Sequence, residues 1–374
     1  MTKVKHVLGI SGGKDSAALA IYLKDSYPQL DIEYYSCDTG KELDETYQLI
    51  DNLEVYLGKK VKILRGAEGS QEDPFDHFLS VLGGYLPSAT SRWCTKKLKL
   101  EPFEKYIAGT DPVISYVGIR GDEDREGYIS KKSNIQSIFP FRKNIWSADV
   151  IAKVLDNKTI PFIKKLYQEY CSQSLKLDRI IEVVSLPLND DFPRGQKLDT
   201  LLELGIKDFN RVVFAFLKTT DYPLAKADSF PLIDNEEVLV RDDIFRILRE
   251  SGVGVPAYYE QKEYHVEIDG VLETGYYSRS RSGCFFCFFQ QRIEWVWLFE
   301  NHPTLYAKAV KYEKDGYTWH QGETLEEVCT EERRTSIKRE HFLRMKRNKA
   351  RTKSDFLIDI LEEAEQEGCA ACFI

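Results

Sequence analysis

The chain has 374 residues, 43% of them hydrophobic and 30% charged, and a formal net charge of −8. That balance suits a globular protein large enough for two domains and argues against one coated in nucleic acid. No apolar run reaches membrane-spanning length, Met-Thr-Lys-Val-Lys leads straight into an apolar strand with no signal peptide expected before it, and eight cysteines in that context point to a reducing cytoplasm.

Val4–Ile10 reads as a short buried strand, followed by a glycine-rich turn and by a helix whose small and apolar residues run over Ala17–Tyr27. Further strands are expected over Ile32–Ser36, Val61–Leu64 and Val113–Ile119, with helices over Thr46–Leu57, Pro74–Leu82 and Lys97–Ile107. This alternation predicts an α/β fold, a doubly wound parallel sheet with helices on both faces. Ligands of such sheets bind beyond the carboxyl ends of the strands. The loops Ser11–Ser16, Cys37–Gly40 and Arg120–Arg125 each follow a strand. The chain is expected to divide into a nucleotide-binding domain over 1–145, a helical insertion over 146–230, a Cys-x-x-Cys region over 231–330, and a basic segment with a cysteine-bearing tail over 331–374.

The loop Ser11-Gly12-Gly13-Lys14-Asp15-Ser16 carries the first functional signal. Two glycines let backbone N–H groups approach an anion, the following helix offers its positive end, two serines offer hydroxyls, and Lys14 adds charge. A Walker A loop needs four residues between Gly and Gly-Lys, and the dinucleotide fingerprint needs Gly-x-Gly-x-x-Gly, so neither describes this turn. Cys284-x-x-Cys287 and Cys369-x-x-Cys372 have the spacing that lets two sulfurs reach one metal. The aromatic stretch Phe285–Phe299 reads as core. Cys37 reads as a buried strand cysteine with a sulfur-carrier role as the alternative, and Cys171 and Cys329 have no assigned role. Residues 333–353 hold ten Lys/Arg against the single acid Glu340, which suits either a polyanion partner or a solvated helix face.

Ser-Gly-Gly-x-Asp-Ser after the first strand resembles the pyrophosphatase (PP) loop of the adenine-nucleotide α-hydrolase superfamily. Asp38-Thr39-Gly40 with Glu45-Thr46, Arg92-Trp93-Cys94-Thr95 with Lys97, Lys99 and Pro102, Gly118-Ile119-Arg120 through Arg125, and Ser282-Gly283-Cys284-Phe285-Phe286-Cys287 narrow the resemblance to the phosphoadenylylsulfate (PAPS) reductase-like family. The resemblance implies that Ser11, Gly12, Gly13, Lys14, Asp15 and Ser16 hold ATP phosphates. Asp38, Thr39 and Gly40 would meet the adenosine, Arg120 would bind phosphate or the adenylylated acceptor, and Asp15 would help hold Mg²⁺. Asp15, Lys14 and Arg120 are the catalytic candidates. The resemblance further implies a [4Fe–4S] cluster on Cys94, Cys284, Cys287 and a tail cysteine, Cys372 or Cys369, with Zn²⁺ as the alternative. It points to a sulfur transferase that adenylylates an acceptor, as in DNA phosphorothioation and phage defence. A nucleic acid would bind through 333–353, a cysteine desulfurase would supply sulfur, and a multi-protein modification complex would be the setting. tRNA thiolation is the close variant. Reduction of PAPS or adenylylsulfate is the alternative, although the tail Glu367-Gly368-Cys369-Ala370-Ala371-Cys372 lacks the reductases' Glu-Cys-Gly-Leu-His type motif. A non-catalytic nucleotide sensor is a third class.

Overall fold

The computed structural model of the chain describes residues 4–109, 111–123, 130, 132–314, 316–320 and 322–350, with side chains as far as 347. Cys369, Cys372, Arg351, Lys353, Asp124, Arg125 and the acidic segment 355–366 lie outside the described residues.

Five short segments form one all-parallel sheet: β1 (Lys5–Gly9), β2 (Ile32–Asp38), β3 (Val61–Arg65), β4 (Val113–Tyr116) and β5 (Ile135–Ile138), in the order β3-β2-β1-β4-β5. Leu8 in the middle strand lies opposite Tyr34 on one side and Tyr116 on the other. Successive side chains of a strand point to opposite faces. Leu8 accordingly joins the apolar core beneath α1 (Lys14–Ser26) and α2 (Asp44–Leu57). Val7 joins a second layer with Phe103 and Ile107. The sheet is therefore the doubly wound α/β sheet expected. Building proceeds outward from β1 through β2 to β3 and then restarts at β4 on the other side. The loops after β1 and β4 consequently flank one crevice, the switch point where such folds bind ligands.

Two boundaries differ from the sequence pattern. Helix α1 begins at Lys14, three residues before the apolar run, because hydrophobic periodicity marks only the packed face while Gly13 (φ −94°) supplies the extended N-cap. Strand β4 stops at Tyr116 because the chain then turns inward: a Cβ on Gly118 would lie 2.9 Å from the Asp15 carbonyl oxygen. The four residues of β5, Ile-Gln-Ser-Ile, carry too weak a pattern to be read in advance.

Helix α3 (Pro74–Val81) and α4 (Trp93–Thr95) follow β3, and α4 runs through a π-helical turn, Lys96–Leu100, into α5 (Glu101–Tyr106). The inserted region is helical as expected: α6 (Ala148–Val154), α7 (Ile160–Tyr170), α8 (Leu177–Ser185), α9 (Arg194–Leu204) and α10 (Ile206–Leu217). Its Ile163, Val183, Leu201 and Phe209 belong to the same apolar core as Leu8, so the insertion thickens one face of the sheet. After α11 (Arg241–Glu250) comes an unforeseen hairpin, β6 (Lys262–Ile268) and β7 (Val271–Tyr277). Asp269 and Gly270 join the two strands with φ of 52° and 81°, the left-handed pair that a two-residue hairpin turn demands. Four more helices complete the described chain: α12 (Arg292–Asn301), α13 (Pro303–Val310), α14 (Leu325–Val328) and α15 (Glu331–Ala350). Phe285, Phe286, Trp295 and Trp297 are buried with Phe75, Trp93 and Tyr258 in a second core, which makes the aromatic stretch interior.

Helix α15 carries much of the basic run and spends a good part of its charge within the chain. Arg334 and Lys338 reach Glu300 at 3.3 and 2.6 Å, Arg339 reaches Asp269 at 3.5 Å, Lys346 reaches Glu273 at 3.7 Å, and Arg333 binds Glu323. These pairs dock the helix on the hairpin and on α12. Among the described residues no helix is long and apolar enough to cross a membrane.

Candidate functional site

The loop expected to receive phosphates runs from the end of β1 into the first turn of α1. Gly12 has φ +72°, and a Cβ there would fall 2.1 Å from Thr46 Cγ2, so only glycine lets α2 approach so closely. Ser16 Oγ accepts from the Ser11 amide at 3.1 Å, lies 3.1 Å from Ser11 Oγ, and donates to the Gly13 carbonyl at 3.2 Å, which closes the turn on itself.

Lys14 and Asp15 are buried at 7% and 3% exposure, a setting in which unpaired charges are costly. Lys14 Nζ donates to Asp15 Oδ2 at 2.8 Å, and Arg120 Nη1 donates to Asp15 Oδ1 at 2.9 Å. Burial pushes the Asp15 carboxyl up, but the Lys14 and Arg120 charges outweigh it and hold the group below the usual carboxylate range. Arg120 arrives on the loop after β4 and is held in turn by Asp122 Oδ1 at 2.8 Å and Glu123 Oε1 at 2.5 Å. Three predicted catalytic residues from two loops therefore meet at the switch point. Two cations on one buried carboxylate, beside a helix N-terminus, form a device that can hand its cations to an anionic ligand.

The loop after β2 is organised differently. Asp38 accepts from Arg65 Nε at 2.9 Å, from Tyr47 Oη at 3.0 Å and from the Gly40 amide at 2.8 Å. Gly40 has φ +76°, and a Cβ there would meet the Asp73 side chain at 2.9 Å. Thr39 Oγ1 donates to Glu42 Oε1 at 2.6 Å and lies 3.2 Å from Cys284 Sγ. The predicted adenosine residues thus also receive the late cysteine segment. Glu42 and Cys284 form an antiparallel bridge, and the Phe285 amide donates to the Lys41 carbonyl at 2.9 Å.

Several contributors escaped the sequence reading. Tyr258 Oη donates to the Gly12 carbonyl at 2.9 Å, Tyr259 Oη accepts from the Lys14 amide at 3.4 Å, and Lys14 Nζ stands 5.3 Å from the Tyr259 ring centre. A Cβ on Gly13 would meet Ser282 Oγ at 2.5 Å, so the segment before Cys284 closes over the loop. Arg279, only 2% exposed, donates from Nη2 to the Cys284 carbonyl at 3.0 Å, while its Nε and Nη1 are buried without a partner among the described residues. The pairing Arg279-Ser280-Arg281 just before the cysteines was the available signal.

Cys94, Cys284 and Cys287 share one neighbourhood: a charge on Cys287 acts on both other thiols, and Cys94 and Cys284 pack against the same aromatic core. Burial pushes all three thiols up, Cys94 to about 12. Among the described residues no three His, Cys, Asp or Glu side chains stand together as a ready-made metal site, and the expected fourth ligand, Cys372 or Cys369, lies outside them. The thiols are soft and half-buried, and Arg279, near enough to act on Cys287, keeps two N–H groups without a partner among the described residues, a setting that suits a thiolate-bound metal or cluster of net negative charge. Cys37 lies in β2 as expected but is half-buried, its thiol donating to the Lys99 carbonyl at 3.6 Å.

Comparison with known proteins relates the N-terminal part of the chain to a family. Residues 5–175 match the phosphoadenosine phosphosulfate reductase domain. Over 177 residues the chain is 32% identical to an uncharacterized protein of Methanocaldococcus jannaschii, a match that covers 44% of this chain and 33% of that protein. The chain thus spans about a third of the length of that curated relative. The crystal structure of phosphoadenylyl-sulfate reductase from Candida auris in its phosphate complex aligns at 17% identity with a TM-score of 0.29, covering 41% of this chain and 72% of that one.

Proposed function

We propose that this chain, whose residues 5–175 match the phosphoadenosine phosphosulfate reductase domain, is an ATP pyrophosphatase-type sulfur transferase that adenylylates an acceptor and then exchanges oxygen for sulfur. The observation that carries the reading is the Lys14–Asp15–Arg120 clamp at the sheet's switch point. ATP phosphates would draw Lys14 and Arg120 off Asp15, whose carboxylate would then be free to hold Mg²⁺, a hard cation suited to oxygen ligands. The acceptor oxygen attacks the α-phosphorus, the α–β bridging P–O bond breaks, and pyrophosphate leaves. Positioning and charge neutralisation do the work, since the loop offers no nucleophile of its own. Cys94, Cys284 and Cys287 with a tail cysteine would hold a [4Fe–4S] cluster or zinc, which would supply sulfur-handling chemistry when bound. The bridge between Glu42 and Cys284, which sets that cysteine beside the loop after β2, supports this reading. We assign a nucleic acid, DNA in phosphorothioation, as acceptor, with tRNA as the close variant and a cysteine desulfurase as sulfur donor.

The test is pyrophosphate release from ATP by anaerobically reconstituted protein with DNA, tRNA or no acceptor. Release with a nucleic acid, lost in Asp15→Ala, supports the reading. No release from ATP, or release untouched by Asp15→Ala, overturns it. The family match equally favours a second reading, reduction of PAPS. Sulfite formed from PAPS with thioredoxin, in place of pyrophosphate from ATP, would establish that one.

A further inference from the structure

A cleft of about 490 Å³ opens between the first turn of α12 and the outer half of α15, and shares no residue with the Ser11–Ser16 loop. Its floor is apolar, made by Ile293, Ile337 and Leu343. Its rim is cationic, made by Arg292, Arg344 and Arg347. The acids nearby are already engaged. Glu323 takes both Arg292, at 3.0 Å, and Arg333, while Glu340 accepts from Arg333 at 3.3 Å and from Ser336 Oγ at 3.0 Å. Arg344 gives one N–H to Gln291 Oε1 at 2.9 Å, but its Nε is buried without a partner, and Arg347 has no ion pair among the described residues. Within the lining itself three arginines, Arg292, Arg344 and Arg347, stand with one carboxylate, Glu340. The N-terminus of α12 borders the same space, since Gln291, Arg292 and Ile293 line it, with Glu294 capping it by accepting from the Gln291 amide at 2.8 Å.

Two imidazoles complete the wall. His320 keeps its Nε2 buried and unpartnered, and His341 Nδ1 sits 2.7 Å from Tyr264 Oη. Burial first, and then the neighbouring arginines, push both rings down to about 4. Glu323 acts the other way on His320, and Glu294 on His341, without outweighing burial and the arginines.

We propose that this cleft is a second ligand site and that it binds a nucleotide, with its phosphate ester on Arg344 and Arg347 and its base or sugar on the Ile293–Ile337–Leu343 floor. The charge excess matches a phosphate ester, and guanidinium forks match its oxygens. The volume lies within the range of small-molecule sites, and an apolar floor distinguishes an organic phosphate from a bare anion. A free mononucleotide and one nucleotide of a single strand present the same chemistry. The inference stands independently of what happens at the Ser11–Ser16 loop. The cleft nonetheless adjoins the cysteine turn, because Gln290 donates to the Cys287 carbonyl at 2.8 Å and Gln291 follows directly.

The experiment titrates the full chain, all in an Asp15→Ala background that disables the loop, with AMP, with a 5′-phosphorylated single-stranded hexanucleotide, and with inorganic phosphate. Affinity is read by calorimetry, and the His320 and His341 ring signals by NMR. AMP or the hexanucleotide should bind and raise the pKa of both imidazoles. Arg347→Leu, an exposed and unpaired position whose loss leaves the fold alone, should weaken binding about tenfold, and adding Arg344→Leu should weaken it further. Binding of both ligands assigns a free nucleotide as well as a strand, and binding of the hexanucleotide alone assigns a strand; either supports the site. Affinity unchanged by Arg347→Leu and by the double variant, imidazole signals unmoved by bound ligand, or inorganic phosphate binding as tightly as AMP, overturns it.

Discussion

Replacing Gly118 by alanine is the sharpest probe of the nucleotide crevice. The backbone of Gly118 needs no left-handed angle, so the substitution acts through space alone. The added methyl would stand 2.9 Å from the Asp15 carbonyl oxygen, 3.0 Å from its carbonyl carbon and 3.4 Å from the Ser16 amide nitrogen. Ordinary contacts of this kind begin at about 3.4–3.5 Å, so the two loops must part by about 0.5 Å. All three atoms are backbone in the first turn of α1, which no rotamer change can move. The Arg120–Asp15 bond, now 2.9 Å, stretches with the seam. Overpacking of this size costs about 1–3 kcal/mol. Charged to binding, that weakens the ATP Kd about 5- to 150-fold. The assay is ATP titration by calorimetry beside thermal unfolding, with Gly195→Ala as the control. Gly195 lies in α9, an added Cβ there meets nothing within 4 Å, and alanine suits a helix, so that variant should bind ATP normally and unfold no earlier. If Gly118→Ala binds ATP like the parent chain, the two loops do not form the nucleotide site together and the clamp argument fails.

Two further outcomes follow from the same geometry. Cys94→Ser, prepared anaerobically, should lose most of the iron and sulfide, or the zinc, that the parent chain retains, and metal content equal to the parent's would remove Cys94 from the ligand set. Acid should destabilise the fold through His320 and His341, whose folded values of about 4 lie below the ordinary 6.5. Between those values the unfolded chain binds protons that the folded chain refuses, so stability falls as pH drops from 6.5 to 4. Urea midpoints across that window should flatten in a His320→Asn/His341→Asn variant, and an unchanged slope would show that the rings are not held neutral.

The legible part of this protein was its N-terminal half. Strands separated by helices of regular length, a glycine turn after β1 and Arg120 after β4 are local signals, and local signals survive in a linear sequence. The contacts that complete the site are not local. Tyr258 on Gly12, Ser282 on Gly13 and Cys284 on Thr39 each join residues some 245 or more positions apart, and nothing in the periodicity around Tyr258 announces them. The hairpin over 262–277 had a readable turn in Asp269-Gly270 but polar outward faces that masked its strands. The basic run was legible only in part. Its charges were evident, while the acids that absorb them, Glu300, Glu273 and Asp269, sit on elements 30 to 80 residues earlier and are recognised as partners only once the chain has folded.

The bridge between Glu42 and Cys284 also sets a timetable for biogenesis. The strand, loop and helix that open the chain leave the ribosome early, but the lid over Gly13 and Thr39 is 245 residues downstream of Thr39. At ordinary synthesis rates of about 5–20 residues per second, the nascent loop waits about 12–50 s before that lid exists. During that interval Lys14, Arg120 and the β2 loop are open to solvent. Nucleotide captured by the emerging domain would therefore act as a placeholder, holding the two loops in register until the cysteine segment arrives to close over them.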